Sequence, residues 1–159
     1  MLSLLFFFLQ ATSSIDPPKG QKLVVTATAR GVQVYNCEQG ADGTFLWRFD
    51  RPEAELFDDR GQRAGNHKVG PKWEWYDGSA VIGKVEAKQD SPDKDSIQWL
   101  LLSADSHPGV GYGILGHVEY IQRVDTKGGV APAGGCDASH LNTKNRVPYT
   151  ATYKFYKPE

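Results

Sequence analysis

The feature that most constrains the fold of this chain is an alternation of apolar and polar side chains with a period of two residues. In the run 147–156, Tyr149, Ala151, Tyr153 and Phe155 share one face of an extended strand. Because successive side chains of a strand point to opposite faces, this face is expected to lie on a core and the other to be wetter. No long window carries the apolar spacing of an amphipathic helix. The pattern therefore predicts an all-β protein.

Other extended runs recur along the chain and are separated by residues with turn chemistry. The further predicted strands are 22–28, 32–37, 44–49, 54–57, 72–76, 79–87, 97–103 and 112–124. A turn at 29–31 is predicted to join the first two runs into a hairpin, and a short helix is expected around 138–141. This organisation predicts a single antiparallel β-sandwich or barrel-like domain.

Gly111, Gly113 and Gly116 have the G-x-G-x-x-G spacing of a dinucleotide-binding loop. Such a loop must follow a strand and open a helix, whose N-terminal N–H groups bind the pyrophosphate. Here the residues that follow, 114–124, alternate like a strand. We therefore interpret the glycines as turn residues and expect no cofactor and no NAD-dependent dehydrogenase activity.

The length and charge of the chain limit its class and its partners. The 159 residues match one domain, and 18 basic and 19 acidic residues give a formal net charge of -1. Without a basic stripe to neutralise phosphates, a nucleic-acid partner is not expected.

The N-terminal residues have the layout of a secretory signal peptide. An uncharged apolar block at 1–10 is followed by small polar residues, and the block is too short to span a bilayer. The alternative is a buried N-terminal strand. We predict a signal peptide at 1–13, a single β domain at 14–159, no membrane span, and a secreted, extracellular location.

The chain has two cysteines, Cys37 and Cys136, and no C-x-x-C motif. In an oxidising compartment the two would form one disulfide that closes a loop of about 100 residues. The alternative is a pair of separate buried thiols. We expect the disulfide.

Several sequence blocks, taken in order, are similar to those of one family. They include GVQVYNC at 31–37, GNHKVGPKWE at 65–74, YIQR at 120–123, TKGG at 126–129 and GCD at 135–137. From about 22 to 156 the chain resembles the secreted bacterial and fungal proteins of the domain-of-unknown-function 3455 family. The resemblance implies an exported, single-domain protein without an established biochemical role. Some fungal members are labelled malate dehydrogenase, which the residues here do not support because hydride transfer to a nicotinamide needs a dinucleotide site.

The densest group of candidate site residues is His67, Trp73, Glu74 and Asp77. A histidine titrates near neutral pH, and a carboxylate on the next strand could orient it, as general acid–base catalysis requires. The structural alternatives are that Asp77 and Gly78 form a hairpin turn and that Trp73 is a core residue.

A metal site is a weaker candidate. His117 and Glu119 are two residues apart on a predicted strand and so face the same way, and His67, Asp137 or His140 could complete a ligand set. Because a solvated strand face explains the same pattern, we expect no metal.

Arg123 shares a face of its predicted strand with Ile121. A half-buried arginine is either paired within the protein or available to hold a carboxylate or sulfate in a bidentate grip. The sequence leaves both roles open.

These observations favour a binding or surface-interaction module for a small polar or carbohydrate-like ligand. The residues expected to bind it are His67, Trp73, Glu74, Asp77 and Arg123. The alternative is a small secreted hydrolase or lyase that uses His67 and Glu74 as an acid–base pair. A metal-binding protein is the third and least favoured possibility.

Overall fold

The computed structural model of the protein describes residues 15–159, which form eight strands and one short 3-10 helix. The predicted signal peptide at 1–13 lies outside the described residues. The elements are β1 (Gln21–Gln39), β2 (Phe45–Phe57), β3 (Arg63–Lys68), β4 (Lys72–Trp75), β5 (Ala80–Gln89), β6 (Trp99–Ser106), β7 (Tyr120–Gly128), the 3-10 helix (Ala138–His140) and β8 (Lys144–Pro158).

The strands form a closed antiparallel barrel in chain order, in which β8 pairs with β1 to complete the ring. The prediction of a single antiparallel all-β domain is confirmed, with the barrel as its form. Closure leaves these strands without an unpaired edge, which is how barrels avoid edge-to-edge association. Within residues 15–159, no helix is long and apolar enough to cross a membrane.

The predicted hairpin at the start of the chain is wrong, because 22–28 and 32–37 belong to one continuous strand, β1. Gly31 lies within this strand and pairs with Ala54 on β2 and Tyr149 on β8. A Cβ atom at Gly31 would lie 2.1 Å from the carbonyl oxygen of Glu53. The glycine therefore allows the backbone of β2 to pack closely against β1 and does not form a turn.

Two other predicted elements differ from those observed. β3 was not expected from the sequence because its segment, RAGNHK, is largely polar. The predicted strand at 112–124 begins only at Tyr120, since the preceding residues form successive turns. The short helix expected around 138–141 is confirmed as Ala138–His140.

Apolar packing fills the barrel at the end where β1 begins, and a loop closes that end. The loop at 107–119 joins β6 to β7 and inserts Leu115 and Val118, whose side chains are fully buried. They pack in one cluster with inward-facing residues that include Ala27, Leu56, Trp75, Leu102, Ile121 and Phe155. The same cluster extends from this end to Trp73, Tyr149 and Tyr153, which border the site described below.

The disulfide between Cys37 and Cys136 is confirmed. It joins the C-terminal part of β1 to the segment between β7 and β8 and spans 99 residues of sequence. The bond lies at the opposite end of the barrel from the loop at 107–119.

Candidate functional site

A cavity of about 300 Å³ lies inside the barrel, toward the end that carries the disulfide. A second cavity of about 380 Å³ adjoins it, and the two share Gln33, Phe49, Val85, Leu100 and Arg123. We refer to them as the inner cavity and the outer cavity. The inner volume lies at the lower end of the range of small-molecule sites, which is about 300–1,000 Å³.

Aromatic rings form one wall of the inner cavity. The strand alternation turns Trp73 of β4 and Tyr153 of β8 inward, where each is 1% exposed. The His67 ring stacks on Trp73 with 4.4 Å between the ring centroids and 10° between the planes, and lies 5.0 Å from the Tyr153 ring. This wall offers flat apolar faces together with polar ring atoms.

His67 is held in a neutral form. Its Nδ1 lies 3.0 Å from the Lys72 carbonyl oxygen, so Nδ1–H is the donor and Nε2 is the unprotonated nitrogen. Burial lowers the pKa of His67 from 6.5 to about 3; the bond to Lys72 opposes this shift and the charge of Arg123 adds to it. At neutral pH the ring is therefore a hydrogen-bond acceptor and a very weak base.

Buried polar atoms without a hydrogen bond to any described residue gather at this site. They include Gln33 Nε2, Trp73 Nε1 and the Tyr153 hydroxyl, which belong to residues that line the inner cavity, and the hydroxyl of the neighbouring Tyr149. Burial raises the pKa of Tyr149 and the neighbouring Tyr153 adds to the rise, whereas Arg123 and Gln33 oppose it; no hydrogen bond of ordinary geometry joins Tyr149 to Tyr153 or Gln33. A buried polar group left unpaired costs about 1–3 kcal/mol. Because these atoms have almost no accessible surface, a hydrogen bond from one of them to a ligand or to water requires a small movement of the surrounding side chains.

Arg123 lies where the inner and outer cavities meet. The side chain is half-buried, and its Nε and Nη2 both donate to the Gln98 carbonyl oxygen, at 3.0 and 2.7 Å. The structure thus brings three predicted ligand-binding residues, His67, Trp73 and Arg123, to one cavity.

Glu74 does not join them. It lies on the outer face of β4, where it pairs with Lys72 Nζ at 2.6 Å and Lys68 Nζ at 3.0 Å. The hydrogen bonds from these two lysines lower the pKa of Glu74. Because His67 faces the interior, the structure does not bring the expected His67–Glu74 acid–base pair together.

Asp77 also lies away from the cavity and holds the closing loop. Its Oδ2 accepts the Ile114 N–H at 2.7 Å, and its Oδ1 accepts the Ser79 hydroxyl at 2.6 Å. Ser79 Oγ in turn accepts the Leu115 N–H at 3.0 Å. Although burial opposes it, these hydrogen bonds lower the pKa of Asp77. Asp77 thus lies in the turn between β4 and β5, as its structural alternative had it, and in addition holds the closing loop.

The G-x-G-x-x-G segment is part of this closing loop and lies in turns, as interpreted from the sequence. A Cβ atom at Gly113 would lie 2.3 Å from Ser79 Cβ and 2.8 Å from Asp77 Oδ1. The glycine therefore lets the loop backbone reach the side chains that hold it.

Substituting Gly113 by alanine is expected to lower the free energy of unfolding by about 3 kcal/mol, the upper end of the usual cost of overpacking. The matched control is Gly111→Ala in the same loop, where an added Cβ atom meets nothing within 4 Å. Urea unfolding of both variants measures the difference. Equal stability of the two variants would contradict the packing role of Gly113.

The comparison with known protein families supports the resemblance noted in the sequence. The model of the family described as "Protein of unknown function (DUF3455)" matches residues 17–157. The chain belongs to this family. Neither a curated protein nor a solved structure matches the chain. The family carries no assigned activity, so the chemistry of the site rests on the geometry described above.

The weaker metal-ligand candidates are not brought together. His117 and Glu119 are exposed near the start of β7, and Glu119 accepts a hydrogen bond from Gln21. His140 pairs with Asp137 at the other end of the barrel, with 2.7 Å between Nδ1 and Oδ1. Among residues 15–159 no group of three or more histidine, cysteine, aspartate or glutamate side chains could hold a metal ion.

Gln33 and Tyr153 line the inner cavity and Tyr149 lies beside them, yet none of the three was predicted as a site residue from the sequence. The alternation at 147–156 does place both tyrosines on the inward face. Their hydroxyls on a core face are the signal that could have identified them, because a buried hydroxyl normally needs a partner.

Proposed function

We propose that the protein is an exported binding module that holds a small, polar, ring-bearing ligand inside its barrel. The observation that carries the proposal is the inner cavity, in which the polar side chains of Gln33 and Arg123 lie among apolar and aromatic lining residues, with unpartnered polar atoms of Gln33, Trp73 and Tyr153 buried in the wall. Ligand sites combine apolar walls with a few convergent polar groups, and this cavity has both.

The lining groups favour a ligand that carries several acceptor oxygens on a ring. Donor groups from Gln33 and Trp73 suit hydroxyl, carbonyl or carboxylate oxygens. The exposed ring of Phe49 suits a flat or ring-shaped apolar surface. Sugars and small ring-bearing acids meet both requirements.

Two observations support export. The protein has a disulfide, and disulfides form and persist in oxidising compartments. The apolar block at 1–10 has the layout of a signal peptide. The protein would then bind its ligand outside the cytoplasm.

A thermal-shift screen of the oxidised protein against sugars and small organic acids tests the proposal. A ligand at 100 times its Kd adds about 2.7 kcal/mol to the free energy of unfolding, which raises Tm by several degrees. Each hit is then incubated with the protein and analysed for product. Product formation would favour the secreted hydrolase or lyase over a binding module, and the absence of any hit would contradict both.

Replacing Tyr153 by phenylalanine is expected to change stability and binding in opposite directions. The substitution keeps the ring and removes a buried hydroxyl that has no described partner, so the free energy of unfolding should rise by about 1 kcal/mol. Affinity for a hit from the screen should fall, because a donor and acceptor of the site is lost. Urea unfolding and calorimetric titration measure the two effects.

The matched control is Tyr76→Phe, which removes a hydroxyl from a side chain that is 78% exposed. Neither stability nor binding should change. If Tyr153→Phe destabilises the protein and leaves affinity intact, the hydroxyl serves the fold and the proposed site is wrong.

A further inference from the structure

Arg123 is a cation that faces the barrel interior without an acidic partner. Ile121 and Arg123 share the inward face of β7, where Arg123 pairs in register with Leu100 on β6 and Tyr153 on β8. Among the described residues no carboxylate forms a salt bridge with it. A half-buried charge is costly unless it is paired, so the guanidinium is suited to an acidic partner from outside the protein.

The backbone of Gln98 orients the guanidinium and leaves part of it free. Nε and Nη2 both donate to the Gln98 carbonyl oxygen, and Nη1 donates to no described residue. Arginine presents five N–H donors in a planar fork, so an edge that includes Nη1 remains for a planar acceptor such as a carboxylate. Lysine, a point charge, would not reproduce this arrangement.

The charges around the cavities favour an anion. The described residues that line the outer cavity include two cations, Lys88 and Arg123, and no acid. Asp50 is the acid among those that line the inner cavity, and it pairs with Arg51 and Lys144. The charge that is not compensated locally is therefore positive.

We propose that the ligand is a small ring-bearing carboxylate whose carboxylate group pairs with Arg123 and whose ring lies in the inner cavity beside Phe49. This inference rests on the proposed function. It narrows the class of ligand from polar ring-bearing molecules in general to those that carry a carboxylate group. The unpartnered donors of Gln33 and Trp73 would then serve the remaining oxygens of the ligand. An aromatic acid and a sugar acid share this chemistry.

Two matched pairs of probes test the inference and distinguish these sources. Benzoate is compared with benzyl alcohol, and glucuronate with glucose, by calorimetric titration at constant ionic strength. We expect at least one acid to bind about tenfold tighter than its neutral counterpart. The pair that shows this preference identifies the source as aromatic or sugar-like.

The variants assign the preference to Arg123. Arg123→Gln should abolish the difference in affinity between the acid and its neutral counterpart, and Arg123→Lys should retain part of that difference. Lys84→Gln is the charge-matched control, because Lys84 is exposed on β5 and lines neither cavity. Its acid preference should equal that of the wild-type protein.

The failure of this inference and the failure of the proposed function give different results. Equal binding of acid and neutral probes to the wild-type protein, or a preference that survives in Arg123→Gln, would overturn the carboxylate assignment and keep the binding module. The first of these comparisons needs only the wild-type protein, so it holds even if a variant fails to fold. Binding of none of the four probes would overturn the carboxylate assignment for these rings, and a screen without any hit would overturn the binding module.

Discussion

Lowering the pH from about 7.5 to about 4.5 is expected to reduce the free energy of unfolding by about 3 kcal/mol through His67 alone. The side chain is 3% exposed, and burial lowers its pKa from 6.5 to about 3. In this pH range the folded protein keeps the ring neutral while the unfolded chain takes up a proton. The contribution of His67 is therefore complete above pH 6.5 and is lost as the pH falls toward 3.

Urea unfolding at a series of pH values measures how the free energy of unfolding changes with pH. The variant His67→Gln shows whether His67 causes this slope. Glutamine does not titrate and can still donate to the Lys72 carbonyl oxygen. Its slope should be nearly flat between about pH 7.5 and 4.5. Carboxylates with a lowered pKa, such as Glu53 and Asp77, also contribute to the free energy of unfolding, but this contribution is lost mostly below about pH 4.5.

His117→Gln is the matched control, because His117 is exposed in the loop at 107–119. This variant should keep the pH dependence of the wild-type protein. Equal slopes for the wild-type protein and His67→Gln would show that the buried ring does not stay neutral in the folded state.

The fold class was predictable because strand alternation is a local property of the sequence. The continuity of β1 was not, since a glycine between two extended runs has the same local appearance whether it serves a turn or a close strand contact. At Gly31 the contact is with Glu53, more than 20 residues away. Only the pairing of β1 with β2 distinguishes the two cases.

The candidate site was partly predictable for the same reason. Alternation places Trp73 and Glu74 on opposite faces of β4, so the two could not both face one cavity, but the face of His67 depends on its register with β4, where it lies opposite Trp73. That register follows from the turn between β3 and β4, and β3 itself was not predicted. The role of Arg123 depends on barrel closure, which places it beside Tyr153 of β8.

Loss of the disulfide is expected to have the largest effect on stability. The bond spans 99 residues of sequence, and for a closed loop of about 100 residues the chain-entropy model gives about 4.7 kcal/mol. Removal of native disulfides typically costs about 2–5 kcal/mol, so Tm should fall by roughly 10 °C. Calorimetry with and without reductant measures the change.

The double variant Cys37→Ser with Cys136→Ser is the control for reductant effects. The chain has no other cysteine, so reductant should lower Tm of the wild-type protein and leave the variant unchanged. A wild-type protein whose Tm does not respond to complete reduction would contradict the prediction.

The same bond should also affect the cavity, because it anchors a segment that contributes to the outer wall. Val130 lines the outer cavity, and its segment is further held by Trp47 Nε1, which donates to the Gly134 carbonyl oxygen at 2.8 Å. Reduction leaves this hydrogen bond in place and removes the covalent anchor. Ligand affinity should therefore fall even at temperatures where the reduced protein is still folded. If affinity is unchanged under those conditions, the ligand lies wholly in the inner cavity and does not depend on the outer wall.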